Sequence, residues 1–472
     1  MTTTRPTRVE RDSMGAMEVP ATAYYGASTQ RAVLNFPISG QRFPRPFIRA
    51  LGLIKWAAAK VNMELGLLDP AIGNAIVQAA WEVAEGRWDD QFVVDIFQTG
   101  SGTSTNMNAN EVIANRAGEI LGYPLGSRKV HPNDHVNLGQ SSNDVIPTAI
   151  HIAAILVIKG DLLPALEGLH QALLAKSREF WPVIKTGRTH LQDATPIRLG
   201  QEFLGYAGQV ERGIRRLRYA LEELSEVALG GTAVGTGVNT HPQFAAKVCA
   251  LISQVIDHPV RETDNHFQAQ ATLDNVAAAG GALRTVALSL HKIANDIRWL
   301  GSGPRAGLGE LLLPEVQPGS SIMPGKVNPV IPEALIQVCG QVLANDVALV
   351  MADLGSFFEL NVMMPLAARN LLESASLLAA GTRNFTEQCV KGLRATSKGP
   401  EMVEKGLMLA TALAPIIGYD KAAEVAKEAA RTGRTIREVA RERTTLTEEE
   451  LTRILDPARM TEPGLGAGPA VG

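Results

Sequence analysis

The chain has 472 residues, 45% apolar and 20% charged, with a net charge of −3. That length allows two or three domains and a large core, and the charge balance gives no reason to expect nucleic acid or an anionic membrane as partner. The three cysteines, Cys249, Cys339 and Cys389, fit neither a disulfide framework nor a metal-ligand spacing, so a cytoplasmic location is expected.

The N-terminal residues Met1 to Thr7 lack the apolar stretch of a secretory signal. No uninterrupted apolar run reaches the ~18 residues of a spanning helix; Ala149–Ile158 and Leu407–Ile417 come nearest. Residues 1–140 read as a mixed, mainly helical domain with helices near 46–66 and 70–86 and short strand-like pieces. Within it, Gln98 to Ser104 is a Gly/Ser/Thr loop that opens a helix, and Arg128 to Asn137 contains His131-Pro132-Asn133-Asp134. Residues 141–392 read as a central domain of long helices near 142–178, 196–228, 240–256, 272–300 and 332–352. Their seams are Leu162, Leu166, Leu169, Leu173, then Val286, Leu290, Ile293, Ile297, Leu300, then Leu335, Val338, Val342, a helical period that packs as a bundle. Residues 393–472 read as a small C-terminal domain with helices near 402–415, 419–431 and 446–455, followed by a Gly/Pro/Ala-rich, disordered tail from 462. The fold class is therefore mainly α, a five-helix central domain between two smaller ones.

Four turn-rich segments carry polar groups out of this apolar scaffold. Gln140-Ser141-Ser142-Asn143-Asp144 stands before a long helix, as an N-cap does. Gly187-Arg188-Thr189-His190-Leu191-Gln192-Asp193 sits between two helices, and Gln98–Ser104 supplies further hydroxyls. Gly319-Ser320-Ser321-Ile322-Met323-Pro324-Gly325-Lys326-Val327-Asn328-Pro329 combines hydroxyls, an amine and an amide in a loop whose glycines and prolines restrict or free the backbone. Such clusters serve as caps and turns, but hydroxyls, amides, an amine and an imidazole with few acids also suit an anionic substrate. A helix from Ser142 to about Lys176 would be roughly 50 Å long at ~1.5 Å per residue, so Asn143 and His190 could share a pocket only between subunits.

These segments identify a resemblance. The chain resembles the fumarase/aspartase superfamily from about Arg8 to its last helices, through the loop G-S-S-x-M-P-x-K-x-N and the segments T-G-S-G-T-S, H-P-N-D, Q-S-S-N-D and G-R-T-H-L-Q-D in order. Within it the class II fumarate hydratases are the more similar branch. Aspartate ammonia-lyases typically have Gln at His190, Ala at Ser101, Thr at Ser142 and Asn at His131. The resemblance implies reversible trans hydration of fumarate to L-malate, no cofactor and no metal, and a homotetramer with a twenty-helix core and sites shared by three subunits. The alternatives are aspartate ammonia-lyase and, in another class, an inactive structural homologue; the intact site positions speak against the latter. Asn265 to Gln270 and His135 depart from the commonest pattern.

By the same resemblance, Ser320 is the base that takes the carbon-bound proton and His190 is the acid/base on the hydroxyl, oriented by Glu333. Lys326 and Asn328 form a clamp on the carboxylate. Ser101, Gly102, Thr103, Ser141, Ser142, Asn143, Thr189 and Ser321 hold the substrate. Arg128, His131, Asn133 and Asp134 form a second anion site.

Overall fold

The computed structural model describes residues 6–464; residues 1–5 and, from 465 on, the tail expected to be disordered lie outside the description. The chain is mainly helical, with strands only as small two-stranded pairs among these residues. Strands β1 (Thr7–Asp12) and β2 (Gly15–Pro20) pair antiparallel. They are followed by α1 (Ala27–Asn35), α2 (Arg45–Glu64), α3 (Pro70–Glu85) and α4 (Thr103–Ile120). α5 (Ser142–Val157), a π turn at Ile158–Leu162 and α6 (Leu163–Glu179) make one 38-residue helical run. A hairpin of β3 (Ile184–Thr189) and β4 (Gln192–Arg198) leads into α7 (Leu199–Leu224), α8 (Phe244–Ile256), α9 (His266–Ala271) and α10 (Asp274–Leu300). α11 (Val330–Asp353), α12 (Met364–Gln388), α13 (Lys398–Val403), α14 (Ala414–Ile417), α15 (Tyr419–Thr432), α16 (Ile436–Arg443) and α17 (Glu448–Ile454) complete the chain.

By internal contacts the chain forms two compact units. One comprises the segment up to Pro164, Gly213–Ala287 and Val338–Ala380. Its core includes Phe47, Leu51, Ile54 and Val61 of α2, Ile76 and Val83 of α3, and Ile146, Ile150 and Ile152 of α5. The other comprises Ala165–Arg212, Leu288–Gln337 and Gly381 onward. Its C-terminal part closes over Leu409, Leu413, Val425, Ile436, Val439, Leu451 and Ile454.

Four expectations need correction. The fifth long helix is α12, not the segment 240–256. That segment turns at His241–Gln243 and gives the 13-residue α8, whereas α12 runs 25 residues. The buried seam of α12 (Met364, Ala367, Ala368, Leu371, Leu372, Ala375, Leu378, Ala379) is half alanine, which dilutes its apolar signal. Strands are not confined to the N-terminus, because the segment with His190 is the β3–β4 hairpin rather than a link between helices. Its β3 buries Lys185, Thr186 and Gly187 in succession, so no period-two pattern marks it. The 402–415 helix is broken by Gly406 into α13, a 3-10 turn at Leu407–Leu413, and α14. Finally, Ser142–Glu179 and Val330–Asp353 are long and apolar enough to cross a membrane by length and composition, because scattered polar residues interrupt a run without much lowering its mean hydropathy. The most apolar window of the first is 72% buried inside the chain, as in a core helix, and that of the second only 33%.

Candidate active site

The Gly319–Pro329 loop is held by its own backbone. Gly319 N donates to Lys326 O at 2.8 Å, and Asn328 Nδ2 donates to Gly319 O at 2.6 Å. A Cβ on Gly319 would lie 2.4 Å from Lys326 O, so only glycine lets the two arms of the loop meet. Inside the turn, Ser320 Oγ accepts the N–H groups of Ile322 at 3.2 Å and Met323 at 3.0 Å. Two donors on one hydroxyl oxygen stabilise negative charge there. Ser321 and Lys326 are exposed beside it, and Asn328 keeps one amide N–H beyond its loop bond. Glu333 follows in the first turn of α11.

His190 and Leu191 are the two turn residues of the β3–β4 hairpin, at φ +56° and +58°. A two-residue turn with both φ positive matches the right-handed twist of the strands, yet side chains other than Gly, Asn or Asp are strained there. The hairpin is anchored from below. Arg188 donates to both oxygens of Glu310, at 2.6 and 3.2 Å, and Lys185 pairs with Glu310 at 3.1 Å and Glu202 at 2.7 Å. Lys185 and Glu310 are 1% and 4% exposed, and burial pushes the Glu202 carboxyl upward. Thr189 and His190 are thus exposed at the tip of a rigid base. Among the described residues no hydrogen bond or ion pair joins His190 to Glu333 within one chain.

The remaining substrate candidates gather in the other unit. Gly100 docks tightly: Met364 N donates to its carbonyl at 3.0 Å, and a Cβ there would lie 1.8 Å from Val362 O. Gly102, at φ +71°, then begins α4 with no side-chain cap. α5 begins with Ser141 as N-cap, in a capping box with Asp144. The two N-termini meet in a chain of hydroxyls, Ser101 Oγ to Thr103 Oγ1 and Thr103 Oγ1 to Ser142 Oγ, each 2.7 Å. Asn143 Nδ2 donates to Ala233 O at 2.8 Å. Two helix N-termini with rotatable hydroxyls suit a carboxylate.

Residues 15–344 match the lyase family profile, and residues 409–462 match that of the fumarase C C-terminus. The chain is 54% identical over 465 residues to the class II fumarate hydratase 2 of Bradyrhizobium diazoefficiens, with 98% of each covered. It is 57% identical over 462 residues to the class II fumarate hydratase of Halobacterium salinarum, again with 98% of each covered. The chain belongs to the class II fumarate hydratase family. Among solved structures, the class II fumarase of Schistosoma mansoni superposes with a TM-score of 0.95 at 40% identity, covering 97% of this chain and 99% of that one. The helical fold expected from the fumarase/aspartase resemblance is thereby borne out.

Against this family background, the second anion candidate forms its own pocket. Arg128, at φ +56°, lies with its guanidinium against His131 Nε2. His131 Nδ1 accepts the N–H groups of Asn133 and Asp134 at 3.2 and 3.1 Å. Burial holds the imidazole below its usual range. Arg128 and His131 line a cavity of about 420 Å³ together with Arg11, Asp12, Ser13, Ser28, Glu111 and Asn133, so its lining carries both signs of charge. Asp134 is exposed at its edge.

Sequence reasoning left several buried ionisable groups unnamed, Lys55 and Glu111 among them, and did not foresee that Asp144 is buried. Glu111 accepts from Gly26 N, Ser28 N, Thr29 N and Thr29 Oγ1. A lysine inside Leu51-Gly-Leu-Ile-Lys-Trp-Ala-Ala-Ala59 was the available signal for Lys55, since a charge amid apolar neighbours needs a partner.

Proposed function

We propose that the chain catalyses the reversible trans hydration of fumarate to L-malate, without a cofactor, as a cytoplasmic homotetramer whose sites are shared between subunits. In the dehydration direction Ser320 removes a proton from the carbon beside one carboxylate. The electron pair moves onto that carboxylate as a dianion, which Lys326 and Asn328 meet. The carbon–hydroxyl bond then breaks as His190 gives its proton, and water and fumarate leave. Glu333 of a neighbouring chain orients His190. Ser101, Gly102, Thr103, Ser141, Ser142, Asn143, Thr189 and Ser321 hold the two carboxylates, and Arg128, His131, Asn133 and Asp134 bind a second anion. On this reading residues 1–140 and 393–472 flank the 141–392 segment that supplies the tetramer core.

The observation that carries the reading is the Ser320 hydroxyl, which accepts two backbone N–H groups in the loop that bears Lys326. Assembly is supported by α11 and the residue after it. Val347, Val350, Met351 and Leu354 stand at helical spacing and are each 49% to 66% exposed, an apolar stripe that further copies of the chain would cover. Cys249 and Cys389 are buried thiols outside any disulfide, in keeping with a reducing compartment.

The test is purified protein with fumarate, following its absorbance and the product with and without ammonium. Malate formed independently of ammonium supports the hydratase; aspartate formed only with ammonium overturns it. Light scattering without detergent should give four copies of the 50.4 kDa chain.

A further inference from the structure

Behind the hydroxyl chain lies a charge that the chemistry above does not use. Lys55, in the middle of α2, is 0% exposed. Its Nζ donates to Asn137 Oδ1 and Gln140 Oε1, both at 2.9 Å. Asn137 Oδ1 also accepts from Asn106 Nδ2 and Asn110 Nδ2 of α4, each at 3.2 Å. Asn137 Nδ2 and Gln140 Nε2 close the turn by donating to Gln140 O and to Val136 O and Leu138 O. One ammonium thus ties α4 to the residues that lead directly into Ser141, and so links the two helices whose N-termini carry the hydroxyls.

The second member is Asp144, also 0% exposed. Its Oδ1 accepts Ser141 N at 2.9 Å, and its Oδ2 accepts Gly230 N at 3.0 Å and Thr232 N at 2.9 Å. That fixes the loop whose Ala233 O receives the Asn143 amide. An ionised carboxylate in a site with no solvent needs a counter-charge.

Burial pushes the Asp144 carboxyl up, against the backbone N–H groups and the Lys55 charge that pull it down, and Asp144 in turn opposes the downward pull of burial on Lys55. The other titratable groups around it are engaged elsewhere. On α2, Lys60 lies over Trp56, and Glu64 pairs with Lys247 of α8. Glu82 of α3 pairs with Arg116 of α4, Glu111 of α4 is held at Gly26 and Thr29, and His151 of α5 bonds to Glu226 O. In the π turn before Asn137, His135 accepts from His131 N.

We propose that Lys55 is a positioning residue for the reaction: its charge keeps Asp144 ionised and the Asn137–Gln140 turn in place, and so sets the Ser101–Thr103–Ser142–Asn143 array that receives the dicarboxylate. This rests on the functional reading above. Burial pulls the ammonium down to about 7 against the opposing pull of Asp144. The charge is therefore present below that pH and lost above it. Substrate binding should weaken as pH rises through this range, in KM more than in kcat.

The experiment measures kcat and KM for L-malate between pH 6 and 9 for wild type, Lys55→Met and Lys55→Arg, with circular dichroism and light scattering as controls. Lys55→Met should raise KM roughly tenfold at pH 6 while changing kcat less than about threefold, and its KM should no longer rise with pH. Lys55→Arg, whose charge does not titrate in this range, should restore a low KM that persists at high pH. If Lys55→Met does not fold, calorimetry of succinate binding to the wild type decides: affinity that falls with pH, with proton uptake on binding that Lys55→Arg lacks, supports the proposal. Active wild type whose KM–pH curve is shared by either variant, or succinate affinity independent of pH, overturns this proposal alone. Wild type that hydrates no fumarate overturns the functional reading as well.

Discussion

A serine hydroxyl acts as a base only where its oxyanion is stabilised, and Ser320 Oγ already faces the N–H groups of Ile322 and Met323. Ser320→Ala should leave a folded oligomer and lower kcat by roughly 10²- to 10⁴-fold, the usual range for a lost acid–base group. Retention of most activity would remove Ser320 from that role. For His190 the informative replacement is Asn, which tolerates the left-handed backbone at φ +56° but cannot exchange a proton near neutrality. His190→Asn should cut kcat by about 10²-fold or more without lowering the melting temperature. A pH–rate profile unchanged in shape would argue that His190 is not the titrating group. The sequence offered both residues as candidates, and their roles came from the family resemblance. For Lys55 the sequence offers only a lysine amid apolar neighbours, since its partners Asn137 and Gln140 lie 82 and 85 residues away.

The β3–β4 hairpin carries the element-scale argument. Its tip is exposed and its backbone strained, so its geometry must be imposed from the base, where Glu310 joins Arg188 and Lys185. Glu310→Gln keeps the shape but leaves two cations short of a carboxylate. Breaking such a buried pair costs roughly 3–5 kcal/mol, which should appear as a lower urea midpoint together with slower turnover as Thr189 and His190 loosen. An unchanged midpoint would mean that the network does not hold the hairpin. This element also marks where sequence reading stops. The G-R-T-H-L-Q-D segment announced itself by its polar residues, but a strand that buries Lys185 through ion pairs has no apolar alternation to betray it. By contrast, α6, α10 and α11 were legible because leucine, isoleucine and valine fall at helical spacing. The α5 start was legible because Ser141 and Asp144 form the capping box that their spacing suggests. α12 was lost because alanine buries well but contrasts little with its surroundings.

At the scale of the molecule, the proposal draws each site from more than one chain. Asn143 stands at the start of the 38-residue helical run, about 57 Å at ~1.5 Å per residue, and Thr189 lies ten residues past its end. On the proposed function, antiparallel copies bring opposite helix ends together around the four-carbon dicarboxylate. Subunit mixing tests this directly. Ser320→Ala and His190→Asn proteins are each nearly inactive on their own reading. Dissociated together and reassembled, they should form some sites that draw an intact Ser320 from one variant and an intact His190 from the other. With random assembly at equal amounts, about a quarter of the sites carry neither lesion, so activity should recover to about a quarter of wild type. Sites contained within single chains would give no recovery at any ratio. Mass spectrometry of the mixture, showing hybrid oligomers, supplies the control, because inactivity with exchange demonstrated would leave the shared site without support.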